Sequence, residues 1–187
     1  ENDGNKFIDS AIKKGSKTIV SNQKFEGLKN KILYIKSLNV RKSLAEISYN
    51  ICKSKPINLV AVTGTNGKSS IVDFYFQILS LNKKKVASIG TLGVKTIYKK
   101  IKISNTTLDP IRLSNYLKYL KKKKIDNVIL EASSHGLKQN RLDGLKFDTA
   151  IFTNLSHDHL DYHKNFEDYL SSKLYLFKKL LKKNSNI

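Results

Sequence analysis

Methionine is missing from this chain altogether, and cysteine occurs once, at Cys52. A single thiol cannot build a disulfide framework within the chain, so a reducing cytoplasm is the expected setting, with Cys52 as a small buried hydrophobe. No apolar run approaches the roughly 20 residues that cross a bilayer, and no signal peptide opens the chain, which argues against a membrane partner. A chain without methionine that starts at Glu1-Asn2-Asp3-Gly4, as if in mid-loop, reads as a piece of a longer protein. Arginine is also scarce, occurring only at Arg41, Arg112 and Arg141. The formal charge of +20 therefore comes almost wholly from lysine, scattered over helix faces and loops, and a dedicated nucleic-acid groove is not expected. With 187 residues, 40% of them hydrophobic, the chain can bury a real core.

The rest of the chain is organised around Val60-Ala61-Val62-Thr63-Gly64-Thr65-Asn66-Gly67-Lys68-Ser69-Ser70. Ile57 to Val62 reads as a buried strand, and the following segment as a helix with Ile71, Phe74, Tyr75, Ile78 and Leu79 on one face. A glycine turn between strand and helix points backbone N–H groups and the positive helix end at one spot, which suits a polyphosphate. Lys68 can neutralise terminal phosphate charge, and the Ser69 hydroxyl can ligate Mg²⁺. The general phosphate-loop pattern is met incompletely, because Val62 stands where its first glycine belongs and Gly64 sits inside the loop instead.

Before that loop, Asp3-Gly4 reads as a turn and Phe7, Ile8, Ala11 and Ile12 as a short amphipathic helix closed at Gly15. Thr18 to Val20 and Ile32 to Ile35 read as strands. Arg41 to Lys53 reads as a helix with Leu44, Ile47, Ser48 and Ile51 on one face, ended by Pro56. A domain boundary is placed near Lys55. Beyond the loop, Val86 to Gly90 reads as a strand, Val94 to Ile103 as a hairpin, and Asp109-Pro110 as the start of a helix with Ile111, Leu113, Leu117 and Leu120 inward. Val128 to Leu130 and Thr149 to Phe152 are further buried strands. The alternation predicts an α/β fold, a mostly parallel sheet with helices on both faces.

In such sheets chemistry collects beyond the carboxyl ends of the strands. Three polar stretches should therefore meet on one edge: Gly64 to Ser69, Glu131 to Gly136, and Asn154 to His163. Glu131 is read as a hard oxygen ligand for Mg²⁺ beside a triphosphate. His157, Asp158, His159, Asp161 and His163 invite a zinc reading, disfavoured because no cysteine accompanies them and their alternating spacing points neighbours apart. In the last helix Lys173 falls on the apolar stripe of Phe166, Tyr169, Leu170, Phe177 and Leu180, whereas Lys178, Lys179, Lys182 and Lys183 look like a charged helix end. The stem of Lys173 can snorkel, or its amine can be desolvated and used; the pattern alone slightly favours snorkelling.

Taken in order, Thr63 to Ser69, Thr106-Thr107, Glu131 to Leu137, Gln139, Arg141, Phe152 to Leu155 and Asp158 to His163 resemble the bacterial Mur ligases, nearest the branch that adds the third residue of the peptidoglycan stem peptide. The resemblance implies a phosphate-loop central domain over residues 56–187, preceded by the later part of a small α/β uridine-binding domain over residues 1–55. The carboxy-terminal domain that selects the amino acid would lie outside the chain. It implies ATP bound by Gly64, Thr65, Asn66, Gly67, Lys68, Ser69 and Ser70, with Mg²⁺ held by Ser69, Glu131, His159 and Lys173 as a carbamate. Lys68, Lys173 and His159 would be catalytic. Thr106, Thr107, Ser133, Gln139 and Arg141 would hold UDP-N-acetylmuramoyl-L-alanyl-D-glutamate, which would gain diaminopimelate in preference to lysine. A cytoplasmic bacterial enzyme is expected, acting as a monomer on small molecules and inactive at this chain length. The alternatives are a sister Mur ligase, a folylpolyglutamate synthase-like ligase and, more remotely, a basic nucleic-acid-binding protein. Two positions depart from the family pattern: Leu108, where many members carry proline or glycine, and Lys164, where glycine commonly follows the Tyr-His pair.

Overall fold

A computed structural model describes residues 3–158 and 161–186, in two compact units that divide between Leu44 and Ala45. In the first, the Asp3 side chain accepts from the Asn5 N–H and caps a 3-10 turn, Gly4–Phe7, that leads into α1 (Ile8–Lys13). Gly15 follows at φ +95°, a conformation that costs glycine little. Strands β1 (Thr18–Ser21), β2 (Gly27–Lys29) and β3 (Ile32–Lys36) form a sheet in the order β1-β3-β2, with β1 parallel and β2 antiparallel to β3. The sequence reading missed β2. Its hairpin turns on Asn30 and Lys31, both at positive φ, and lysine in place of the usual glycine hides that turn from the sequence.

Helix α2 (Val40–Ile51) runs from the first unit into the second, and its inward face is not the expected one. Leu44 and Ile47 are each 44% exposed and Ile51 76%, whereas Ala45 and Tyr49 are fully buried. Tyr49 wins the inward position because its hydroxyl donates to the Arg141 carbonyl at 2.7 Å, satisfying the phenol while the ring is buried. Cys52 is buried, as expected.

The second unit continues with β4 (Asn58–Thr63), α3 (Lys68–Leu81), β5 (Val86–Gly90), β6 (Gly93–Thr96), β7 (Lys100–Ile101), α4 (Pro110–Lys122), β8 (Asn127–Glu131), α5 (Ser134–Lys138), β9 (Phe147–Phe152), α6 (Phe166–Tyr175), a π turn (Leu176–Leu180) and β10 (Leu181–Asn186). The sheet order is β10-β9-β4-β8-β5-β6-β7, parallel except for the β5-β6-β7 meander. Alternate residues of the central strands serve two cores. Leu59, Ala61, Val128 and Leu130 join Leu113, Leu117 and Leu120 of α4 on one face, and Val60, Val62 and Ile129 meet Val72 of α3 on the other. Each such buried aliphatic side chain contributes about 1.5–3 kcal/mol.

Three details of the expected pattern are corrected. In α3, Phe74 and Ile78 are both 58% exposed while Val72 and Phe76 are buried, because the helix is apolar on two sides and periodicity alone admits either. Ile111 stays half exposed although Leu113, Leu117 and Leu120 turn inward. Lys182 and Lys183 belong to β10, an edge strand, where charged side chains are tolerated.

The strand register fixes the functional edge. Val62 pairs with Glu131, Thr63 with Phe152 and Ile89 with Leu130, so β4, β5, β8 and β9 end side by side and their loops open on the same side of the sheet.

Candidate functional site

The loop after β4 takes a shape that only glycine allows at two points. Gly64 has φ +144°, and a Cβ there would stand 1.9 Å from Thr153 Oγ1 and 3.1 Å from Asn154 N and O. Gly67, at φ +81°, is the N-cap of α3 and offers no side chain, which leaves the first N–H groups of the helix to an outside acceptor. The loop is clamped by the segment after β9. The Thr65 N–H donates to the Asn154 carbonyl and the Asn66 N–H to Asn154 Oδ1, each at 2.9 Å, while Thr153 Oγ1 donates to the Asn66 carbonyl at 2.6 Å. The Thr65 hydroxyl lies 2.9 Å from the Tyr169 hydroxyl of α6.

Two ammonium groups converge on one carbonyl in this loop. Lys68 Nζ donates to the Gly64 carbonyl at 2.9 Å and to the Thr65 carbonyl at 2.6 Å; Lys173 Nζ reaches the same Gly64 oxygen at 2.6 Å. Lys173 is only 1% exposed, with its ammonium 4.3 Å from the centroid of the Tyr169 ring. Burial, and then repulsion from Lys68, lower its pKa from 10.5 to about 8, although Asp158 pulls the other way. Burial likewise lowers Lys68, against the pull of Glu131 and Asp158. The lysine on the apolar stripe is therefore desolvated at its amine and does not snorkel to solvent.

Across the cavity Glu131 ends β8 and is 1% exposed. Its Oε1 accepts from Ser69 Oγ at 3.0 Å and from the Thr91 N–H at 2.9 Å, and its Oε2 from Thr91 Oγ1 at 3.1 Å. Gly90 makes room for this carboxylate, since a Cβ there would lie 2.2 Å from Oε1. The space enclosed is about 270 Å³, lined among others by Asn66, Gly67, Ser70, Thr106, Ser133 and Lys173.

Thr107, Ser133, Gln139 and Arg141 form a connected cluster. Thr107 Oγ1 donates to the Glu131 carbonyl and accepts from the Ser133 N–H, both at 2.9 Å. Ser133 caps α5 by accepting from the Gly136 N–H. Arg141 donates from Nη1 to the Thr107 carbonyl, and from Nε and Nη2 to Gln139 Oε1. Of these four, Ser133 reaches the cavity together with Thr106, whereas Gln139 and Arg141 stand beyond its lining. His159 lies outside the described residues. Among the described residues no group of three or more His, Cys, Asp and Glu side chains is close enough to hold a metal. His157 packs its ring on Phe166, and His163 is buried against Ser134.

Sequence reasoning missed Thr91 as a part of the site, whereas Ser134 and Asn154 fall within the polar stretches expected at this edge. Thr91 directly follows β5, so the strand-end rule could have found it.

These features define an α/β phosphate-loop protein: a largely parallel sheet, a glycine turn opening a helix, and cationic and carboxylate side chains gathered at the strand ends. Residues 62–187 match the Mur ligase middle domain, and the chain belongs to the Mur ligase family. It is 43% identical over 188 residues to the UDP-N-acetylmuramoyl-L-alanyl-D-glutamate--2,6-diaminopimelate ligase of Wigglesworthia glossinidia brevipalpis, covering 96% of this chain and 38% of that protein. The ligase of the same name from Bradyrhizobium diazoefficiens is 39% identical, with 96% and 36% covered. A solved structure of a ligase of that name superposes with a TM-score of 0.82 at 34% identity, covering 95% of this chain and 36% of the other. A MurF ligase from Thermotoga maritima, solved in complex with ADP, shares the fold with a TM-score of 0.58 at 21% identity. The chain thus spans little more than a third of the length of these relatives.

Proposed function

We propose that the complete protein is an ATP-dependent ligase that joins diaminopimelate to the side-chain carboxylate of the D-glutamyl residue in UDP-N-acetylmuramoyl-L-alanyl-D-glutamate. The convergence of Lys68 and Lys173 on the Gly64 carbonyl, beside the Ser69–Glu131 pair and the uncapped start of α3, carries this reading. The two ammonium groups share one backbone oxygen, an arrangement suited to exchange for phosphate oxygens. The relatives' names supply the acceptor and the amino acid.

Residues 1–55 would be the later part of a uridine-binding domain and residues 56–187 the ATP-binding domain. Gly64 to Ser70 would cradle the triphosphate, with the backbone N–H groups of α3 on phosphate oxygens and Lys68 on the terminal group. Ser69 Oγ and the Glu131 carboxylate, 3.0 Å apart, are hard oxygen donors that fit Mg²⁺ and would hold it. When bound, Mg²⁺ would reduce the repulsion between the triphosphate and the incoming carboxylate. His159 would add a ligand. The neutral amine of Lys173 would take up CO₂ and release a proton, becoming an anionic carbamate; its burial favours the neutral amine that this step needs. Thr106, Thr107, Ser133, Gln139 and Arg141 would orient the muramoyl dipeptide.

In the reaction an oxygen of the acceptor carboxylate attacks the terminal phosphorus of ATP and ADP leaves, giving an acyl phosphate. The amine of the amino acid then attacks the acyl carbon, and inorganic phosphate leaves with that oxygen. Lys68 stabilises charge on the transferred group in the first step. The test is phosphate release by the complete gene product with ATP and Mg²⁺, with and without the muramoyl dipeptide, and with diaminopimelate, lysine or neither. Turnover requiring both the dipeptide and diaminopimelate is expected. Equal phosphate release with and without the dipeptide would overturn the reading.

A further inference from the structure

Behind the cavity, two adjacent residues to which no role is assigned above hold α5 at both of its ends. His163 is 2% exposed, and both ring nitrogens face polar groups: Nε2 lies 3.0 Å from Ser134 Oγ, and Nδ1 3.5 Å from Asp168 Oδ2. Asp168 is anchored in turn by the Lys138 ammonium and the Lys164 N–H. Tyr162 stacks on His135 with ring centroids 3.9 Å apart, and its hydroxyl accepts from Gln139 Nε2 at 3.0 Å. Ser134 is the first residue of α5 and Gln139 its C-cap, so the Tyr162-His163 pair spans the helix.

The line Asp168–His163–Ser134 contains the atoms of an acyl-transfer triad. The geometry disfavours that use. Ser134 is 2% exposed, and 3.5 Å between the imidazole and the carboxylate exceeds the hydrogen-bond reach of such sites, so the carboxylate does not orient the ring as a triad requires. A mechanical role fits better. Five residues of helix have no stability of their own, so the position of α5 must be imposed from outside. On one side Gly136 is seated against Thr107 so closely that a Cβ would lie 2.6 Å from the Thr107 Cβ. On the other side stand Tyr162 and His163.

We infer that Tyr162 and His163 are positioning residues that fix α5, and through it Ser133, Gln139 and Arg141, for binding of the muramoyl dipeptide. This inference rests on the substrate roles proposed above for those three residues. The ATP loop is clamped mainly by Thr153 and Asn154; its link to the pair runs only through the Tyr169 ring, whose hydroxyl meets Thr65, and a substitution that keeps a ring at position 163 should leave ATP affinity nearly unchanged.

The test is steady-state kinetics on the complete gene product. His163→Phe keeps a ring against Tyr169, 5.1 Å away between centroids, and deletes both polar links. It should raise KM for the dipeptide about tenfold, equivalent to about 1.4 kcal/mol, and leave KM for ATP and kcat within about twofold. His163→Gln, whose amide can reach Ser134, should recover most of the loss. Ser134→Ala combined with His163→Phe should be no worse than the more severe single variant, because both break one link. Tyr162→Phe keeps the stack, loses only the hydroxyl and should raise the same KM about threefold; it decides the matter if His163→Phe does not fold. Unchanged dipeptide KM in His163→Phe and Tyr162→Phe, or parallel changes in both KM values, would overturn the inference while the ligase reading stands. A wild-type protein that does not turn over the dipeptide would overturn both.

Discussion

Replacing Gly64 by alanine tests the phosphate cradle at its tightest point. The new methyl would sit 1.9 Å from Thr153 Oγ1 and 3.1 Å from both Asn154 N and O, on a backbone at φ +144°. The backbone strain alone amounts to about 1–3 kcal/mol. Turning Thr153 aside also breaks its hydrogen bond to the Asn66 carbonyl, worth about 0.5–1.5 kcal/mol. If a loop displaced by about 2–4 kcal/mol must be restored for the triphosphate to bind, ATP affinity falls roughly 30- to 1,000-fold. Isothermal titration of ATP into the complete gene product with Mg²⁺ measures this directly. Gly4→Ala is the control, because a Cβ added there would have nothing within 4 Å, and it should bind ATP like the wild type. A folded Gly64→Ala protein with ATP affinity within threefold of the control would refute the assignment of this loop to phosphate.

Other substitutions separate the remaining parts of the site. Gly90→Ala drives a methyl into the Glu131 carboxylate, 2.2 Å from Oε1, so the Mg²⁺ concentration for half-maximal turnover should rise about 10- to 100-fold. An unchanged Mg²⁺ requirement would remove Glu131 from the metal site. Gly136→Ala pushes on the Thr107 side chain at 2.6–2.9 Å and should raise KM for the muramoyl dipeptide while sparing KM for ATP, as initial-rate measurements would show. Lys173→Met should abolish turnover yet melt a few degrees above the wild type at pH 7 in CO₂-free buffer, since it removes a buried ammonium. With the Lys173 pKa lowered from 10.5 to about 8, the folded state holds fewer protons than the unfolded chain between those values. Wild-type stability from this residue therefore rises with pH across that window, and the gap in melting temperature should narrow above pH 8. A variant that melts lower at pH 7 would contradict the desolvation argument.

The central strands β4, β5, β8 and β9 were legible as runs rich in apolar or β-branched residues, and the site was legible because the strand-end rule gathers Gly64, Glu131 and Asn154 from the sequence alone. Lys173 was legible as an anomaly, a charge on an apolar stripe, but its choice between snorkelling and desolvation depends on what closes over it. That is the Tyr169 ring and the Gly64 carbonyl, the latter 109 residues away in sequence. Helix faces were less legible. In α2 the more hydrophobic Leu44, Ile47 and Ile51 lost the interior to Ala45 and Tyr49, because a hydrogen bond to Arg141 and a close fit decide burial there. Tyr162 and His163 were opaque as positioning groups for the same reason: their partners are set by tertiary register, which no local spacing encodes.

The proposed function requires that this site couple ATP cleavage to activation of a carboxylate. The most direct measurement uses the muramoyl dipeptide with its D-glutamyl side-chain carboxylate labelled with oxygen-18, turned over by the complete gene product with ATP and diaminopimelate. Mass analysis of the released phosphate should find one labelled oxygen per phosphate, carried over when the acyl phosphate is cleaved by the amine. Phosphate without label, released during product formation, would contradict the account.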